Sequence, residues 1–132
     1  MAYSTIPKGS LYMNTKLYTG NGSTNAITGV GFQPDWSWLK RRDTSDSHAL
    51  YDAVRGVTKR LETNTTGAEA TKSAGLTTFG TDGFTLGNDT QANANSGTYA
   101  SWNWKANGAG SANTAGSINS TVSVNTTSGF SI

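Results

Sequence analysis

The sequence predicts an all-β domain, built as an antiparallel β-sandwich or jelly roll. Short runs with period-two alternation recur along its 132 residues, and Gly and Asn clusters typical of turns separate them. All four tryptophans fall into two doublets, Trp36-Ser37-Trp38 and Trp102-Asn103-Trp104. Because strand side chains alternate between faces, each doublet places both indoles on the same face of a strand.

Composition limits the number of domains and the classes of partner. A chain of 132 residues with 34% hydrophobic residues fits one domain, and the absence of cysteine excludes disulfides and thiolate chemistry. The net charge is only +2 with one dense basic cluster, Lys40-Arg41-Arg42, so we expect no nucleic-acid partner. No apolar run is long enough to span a bilayer, so we also expect no membrane partner. The N-terminus lacks the features of a secretory signal, which predicts synthesis in the cytoplasm without a signal peptide.

The first elements follow from alternation and turn chemistry. Residues 1–10 are polar and are predicted to form an N-terminal arm, flexible or docked. Leu11 to Thr19 predict a first strand, with Leu11, Met13, Thr15 and Leu17 on one face. An Asn-Gly turn at 20–23 precedes a short strand at 25–28. Residues 35–41, which carry the first doublet, are the best candidate for a central strand.

The middle of the chain is less regular. Residues 48–55 fit a helical stripe or a strand, and we favour the strand. A short strand is predicted at 57–63, followed by a polar loop at 64–73 with one helical turn at 68–70. Two runs on either side of a Gly-Thr-Asp-Gly turn predict a hairpin over 76–86.

The last third contains the second doublet and a change of composition. Residues 87–97 are predicted as a loop, and 98–105 as the second tryptophan strand. The sandwich domain is therefore assigned to 11–106. Residues 107–116, rich in Gly, Ala, Ser and Asn, are predicted as a linker. Residues 117–132 are predicted as a C-terminal strand segment that pairs within its own subunit or with a neighbour.

The tryptophans have two interpretations. They could form an exposed aromatic platform for a sugar or a protein partner, or they could build the core. Since so little other apolar mass is available and aromatic residues dominate cores, we expect at least three of them in the core. The residue next to a loop, Trp36, is the candidate for contact with a glycan or partner.

Other polar clusters are predicted to be structural. His48, Asp52 and Arg55 lie near one another in the chain but lack a nucleophile. Instead of catalysis, we expect Asp52 and Arg55, or Arg42 and Asp43, to pair with other charges and hold loops onto the sheet. Calcium could use oxygens of Asp82 and of the Asn88-Asp89 pair, although their spacing fits no EF-hand and turn chemistry explains Asp82. The sequence thus predicts no catalytic residue, no metal site and no cofactor.

Several motifs, in consistent order between residues 14 and 106, resemble a poorly characterised domain of bacteriophage virion proteins, notably tail and fibre proteins. These motifs are Tyr18-Thr19-Gly20-Asn21-Gly22-Ser23-Thr24, Val30-Gly31-Phe32-Gln33-Pro34-Asp35-Trp36, Asp52-Ala53-Val54-Arg55-Gly56, Asp82-Gly83-Phe84-Thr85-Leu86-Gly87 and Tyr99-Ala100-Ser101-Trp102-Asn103-Trp104-Lys105-Ala106. The resemblance implies a concanavalin A-like jelly roll and transfers no catalytic residues.

The resemblance and the composition together predict a non-enzymatic structural component of a phage particle. We expect it to serve in a tail fibre, a tail appendage or a capsid decoration, with itself and other virion proteins as partners. The alternative is a carbohydrate-binding module for host surface glycans. On either prediction the chain is made in the host cytoplasm and ends in the virion.

Overall fold

The computed structural model describes residues 8–132 and confirms the all-β prediction. Residues 1–7, most of the predicted N-terminal arm, lie outside the described residues. A 3-10 turn at Gly9–Leu11 precedes the strands, and one short helix, α1, spans Thr90–Asn93. The strands in chain order are β1 (Met13–Thr19), β2 (Asn25–Thr28), β3 (Trp36–Arg41), β4 (Ala49–Asp52), β5 (Lys59–Arg60), β6 (Ala70–Thr71), β7 (Leu76–Gly80), β8 (Gly83–Leu86), β9 (Thr98–Trp104), β10 (Ser111–Asn113), β11 (Ser120–Val122), β12 (Val124–Asn125) and β13 (Phe130–Ser131).

Two antiparallel sheets form a β-sandwich. The larger has the order β1-β9-β3-β4 and the smaller the order β2-β8-β7. Both tryptophan strands, β3 and β9, are interior strands and pair directly with each other, which confirms the prediction of a central strand for residues 35–41. The small ladders β5-β6, β10-β11 and β12-β13 lie outside these two sheets.

The hydrophobic core lies between the two sheets. The larger sheet contributes residues of β3 and β4, the smaller sheet residues of all three of its strands, and helix α1 adds one alanine. The core residues are Ile27, Leu39, Ala49, Tyr51, Leu76, Phe84, Leu86 and Ala92, with Tyr18 and Phe79 packed against them. Burial raises the pKa of the Tyr51 hydroxyl to about 12.

Most predicted strands are present, and the exceptions have local causes. The first strand begins at Met13, because Gly9–Leu11 turn as a 3-10 helix. The segment 57–63 forms only the two-residue strand β5 and a single bridge between Leu50 and Leu61. The helical turn predicted at 68–70 is wrong, since Ala70 begins strand β6.

The predicted loop 87–97 contains helix α1 because Asp89 caps it. The Asp89 side chain accepts a hydrogen bond from the Gln91 backbone N–H at 3.1 Å. Asn93 then secures the end of the helix, with its side-chain amide bonded to Ser23 O at 2.6 Å and Gly87 O at 2.7 Å. The loop is therefore an ordered connection between the two sheets.

The segment 107–116 is not a plain linker, because it contains strand β10, which pairs with β11. Its glycine serves close packing: a Cβ on Gly110 would lie 2.7 Å from the Val122 carbonyl carbon, and the glycine has φ +77°. The C-terminal segment holds three short strands instead of one. Ser123 and Ile132 exchange both backbone hydrogen bonds, at 3.0 and 2.9 Å, so this strand pairs within the chain.

Asp82 fastens the β7–β8 turn to the loop that precedes β3. Its carboxylate accepts hydrogen bonds from Gly29 N–H at 2.9 Å and Gly31 N–H at 2.7 Å. These two bonds lower the pKa of the Asp82 carboxyl. Asp82 is thus occupied by the backbone in a structural role.

The lowered pKa of Asp82 predicts an acid-sensitive contribution to stability. The contribution should be complete above the unfolded-state pKa of about 4 and should be lost as the pH falls through the lower folded-state pKa. The Asp82→Asn variant should therefore have a lower urea midpoint than the wild type at pH 7, and the difference should shrink in more acidic buffer. A difference that stays constant with pH would contradict the ionised contact.

Within residues 8–132, the structure contains no helix that is long and apolar enough to cross a membrane.

Candidate functional site

The four tryptophans lie on one face of the larger sheet, which we call the tryptophan face. In the β3–β9 register Trp36 is paired with Trp104 and Trp38 with Trp102. Directly paired residues of antiparallel strands project to the same side, so the four indoles form two rows of two. The next strand adds Met13, which is paired with Trp104.

The tryptophan face is opposite the core, which corrects the prediction that at least three tryptophans are core residues. Leu39, which alternates with the indoles along β3, belongs to the core, and none of the four tryptophans does within the described chain. All four are partly buried rather than fully buried. The face of β3 and β9 that carries the four tryptophans is therefore the outer face of the sandwich.

Small polar residues that alternate with the tryptophans along β3 and β9 occupy the inner face. Ser37, Ser101 and Asn103 are all 0% exposed. The Ser37 hydroxyl donates to Asn103 Oδ1 at 2.9 Å, and Asn103 Nδ2 donates to Ser101 Oγ at 3.0 Å and to Asn14 O at 3.2 Å. Burial of these groups is tolerated because they are hydrogen-bonded. This network fixes β3, β9 and β1 beneath the indoles.

One half of the tryptophan face is covered by the C-terminal hairpin, which is formed by β12 and β13. Phe130 of β13 stacks on Trp104, with ring centroids 6.2 Å apart and planes at 25°, and meets Trp36 edge-on at 5.9 Å. The Trp36 indole nitrogen is buried without a hydrogen-bond partner among residues 8–132. Trp36, the residue predicted to contact a ligand, therefore packs under the chain's own Phe130.

The other half holds Trp38 and Trp102, whose ring centroids are 5.7 Å apart. Trp38 Nε1 donates to His48 Nδ1 at 2.9 Å, which leaves the proton of a neutral His48 on Nε2. Beside this pair, the edge strand β1 carries Leu17, which is 59% exposed. This half presents aromatic and aliphatic surface together.

A groove of about 360 Å³ opens where the tryptophan face meets the C-terminal hairpin. It contains an indole, a phenol and a phenyl ring from three separate parts of the chain, together with two hydroxyl side chains. Its lining residues are Gly9, Tyr12, Met13, Trp104, Thr127, Ser128, Gly129 and Phe130. Within residues 8–132 no charged side chain lines it.

The cluster considered for catalysis is divided among separate structural contacts. His48 bonds to Trp38, whereas Asp52, 1% exposed, accepts hydrogen bonds from the Arg55 backbone at 2.8 Å and from its guanidinium at 2.8 Å. Asp52 and Arg55, which we expected to pair with other charges, pair with each other, and Arg55 Nε also lies 3.7 Å from Glu69 Oε2.

Asp43 pairs with another charge, as expected: Arg41 Nε lies 2.7 Å from Asp43 Oδ1. The Arg41 guanidinium lowers the pKa of the Asp43 carboxyl. Arg41, the last residue of β3, therefore fixes the loop that follows this strand.

The two carboxylates considered for calcium also have protein partners. Asp89 pairs with Arg60 at 2.8 Å in addition to capping α1, and Asp82 holds the glycine backbone described above. Arg60 is 4% exposed and also contacts Glu62 at 2.9 Å. In the described part of the chain no three His, Cys, Asp or Glu residues are grouped to hold a metal ion.

Sequence reasoning did not identify the groove. The sequence predicts that Tyr12 lies on the first strand and Phe130 in the C-terminal segment, but no local pattern indicates that either residue contacts Trp104. The alternation of residues 117–132 signals strands, but it does not say which surface they cover. The signal that does exist is the aromatic residue in each segment.

Comparison with known proteins gives one family. A family model described as a domain of unknown function (DUF7483) matches residues 8–132. Neither a curated protein nor a solved structure matches the chain significantly.

Proposed function

We propose a function for this chain, which belongs to the DUF7483 family of domains of unknown function: it is a non-enzymatic structural component of a bacteriophage particle. It serves in a tail fibre, a tail appendage or a capsid decoration and acts through contacts with itself and other virion proteins. The sandwich is a jelly roll of the concanavalin A-like type, as the resemblance of residues 14–106 implies. The mature location is the virion.

The observation that carries this proposal is the apolar surface along β1. This strand lies at the end of the larger sheet. Its Leu17 is 59% exposed, and Leu11, in the turn just before it, is 54% exposed. Met13, 36% exposed, continues the same row toward Trp104. An apolar row on a terminal strand is typical of a surface that another chain covers.

Assembly is tested by native mass measurement and light scattering over a range of protein concentrations. We expect oligomers in the wild type and a shift toward monomer in Leu17→Lys, because the charge would be buried in the contact. Val57→Lys is the matched control, since Val57 is 40% exposed but does not belong to β1. A protein that is monomeric at high concentration and absent from purified particles would refute the proposal.

A second candidate function, glycan recognition, is favoured by the outward position of all four tryptophans. Flat aromatic rings stack on the apolar face of a sugar, and partly exposed indoles on a rigid sheet are pre-organised for that contact. Glycan binding is compatible with a place in the virion, since a particle component can contact the host surface.

Tryptophan fluorescence tests the second function. We expect acrylamide to quench part of the emission, and a host polysaccharide to shift the emission and reduce the quenching. Bovine serum albumin treated with the same polysaccharide controls for optical effects of the polymer. Emission that is fully protected from acrylamide and unchanged by glycans would rule this function out.

A further inference from the structure

We propose that the groove between Tyr12, Trp104 and Phe130 binds one ring of a neutral sugar. This inference rests on the second candidate function, glycan recognition, and gives it a location. The sugar ring would stack on the aromatic side chains of the groove, and its hydroxyls would bond to the turn between β12 and β13.

The first argument is the arrangement of aromatic residues. Trp104 on β9, Phe130 on β13 and Tyr12, the residue before β1, reach the same groove from three parts of the chain. Phe130 stacks on the Trp104 ring, with ring centroids 6.2 Å apart and planes at 25°. A ring held in this way loses little conformational freedom when a ligand stacks on it.

The second argument is the polar part of the lining. Thr127 and Ser128 lie in the turn between β12 and β13, where both backbone N–H groups bond to Asn125 Oδ1, at 3.2 and 3.1 Å. The turn is thereby fixed. The Thr127 hydroxyl can donate to and accept from a ligand, whereas the Ser128 hydroxyl donates to Asn125 O at 3.3 Å and can accept from a ligand. A sugar ring carries hydroxyls around an apolar face, which matches aromatic surface bordered by hydroxyls.

The third argument is charge and size. All side chains that line the groove within residues 8–132 are neutral, so a charged ligand would be desolvated without a compensating partner. The volume of about 360 Å³ is at the lower end of the range for small-molecule sites, which suits one ring of a longer chain. The groove is open, so the remainder of a glycan could extend out of it.

Two of the residues that line the groove are glycines. A Cβ added to Gly9 or to Gly129 would meet no atom within 4 Å among the described residues. Gly129 has φ +69°, which a larger residue would adopt only with strain, whereas Gly9 has no such restriction. A bulky residue at position 9 would therefore occupy the groove without disturbing the core.

The test uses isothermal titration calorimetry of the full chain with maltohexaose, cellohexaose, mannohexaose and a neutral galactan. We expect one of these to bind, Gly9→Phe to weaken binding by about tenfold or more, and Thr127→Val to weaken it to a smaller extent. Gly67→Phe is the matched control, because a Cβ at Gly67 would make only an ordinary contact with Thr65 Oγ1 at 3.5 Å and Gly67 does not line the groove. Circular dichroism checks that the variants are folded.

The outcomes separate the inference from the function on which it rests. If a glycan binds equally to the wild type and to Gly9→Phe, the groove is not the site, although glycan recognition stands. If none of the probes binds, or if a proline-rich peptide binds the groove in their place, the sugar inference is overturned. Assembly into particles is measured independently of all these results.

Discussion

Replacing Phe84 by alanine should lower the free energy of unfolding by about 3–5 kcal/mol, the usual cost of removing a buried aromatic side chain. Phe84 is 2% exposed on β8, and it packs in the core between the two sheets. Its ring also meets Tyr18 edge-on at 6.2 Å. Urea denaturation of the wild type and of the Phe84→Ala variant measures the loss directly.

The matched comparison is Trp102→Ala, which removes a larger side chain from the outer face. Because Trp102 is partly buried and outside the core, its loss should be clearly smaller than that of Phe84. The order of the two effects is decisive, since a core built on the tryptophans would reverse it. A greater loss for Trp102→Ala would contradict the position of the core.

The strands could be predicted from the sequence because alternation and turn residues are local signals. Residues 25–28 are predicted and observed as a strand with the same limits, and the hairpin over 76–86 is present as β7 and β8. The second tryptophan strand is also found, ending at Trp104. These elements depend mainly on their own residues and on the turns beside them.

Which face of each strand packs against the core could not be predicted, because that depends on contacts between residues distant in sequence. The Trp-Ser-Trp and Trp-Asn-Trp patterns assign aromatic residues to one side and small polar residues to the other, and burial of the aromatic side is the ordinary expectation. Here Ser37 and Asn103 face inward because they bond to each other across β3 and β9. Leu39 and Tyr51 supply the apolar contacts on that same inner side.

The candidate groove could not be predicted from the sequence for a related reason. Its walls come together only after the C-terminal hairpin folds back onto the tryptophan face. The hairpin is fixed there by contacts such as Asn107 N–H to Ser123 Oγ at 2.8 Å, which composition does not reveal. A Gly- and Asn-rich segment therefore reads as a linker even where its backbone is closely packed, as at Gly110.

Replacing Asn103 by alanine should destabilise the larger sheet, because its side chain bonds to both neighbouring strands. It would remove the acceptor of the Ser37 hydroxyl and the donor to Asn14 O, in a network that is 0% exposed at Ser37 and Asn103. Each buried polar group left without a partner costs about 1–3 kcal/mol. We therefore expect a lower urea midpoint for Asn103→Ala than for Thr127→Val, whose side chain is exposed.

A double-mutant cycle distinguishes the hydrogen bond from the loss of packing. Ser37→Ala removes the donor to Asn103, so the combined Ser37→Ala and Asn103→Ala variant should lose less stability than the sum of the two single variants. The expected coupling is about 0.5–3 kcal/mol, as found for residues in direct contact. Strict additivity would mean that the Ser37–Asn103 bond adds nothing to the backbone pairing of β3 with β9.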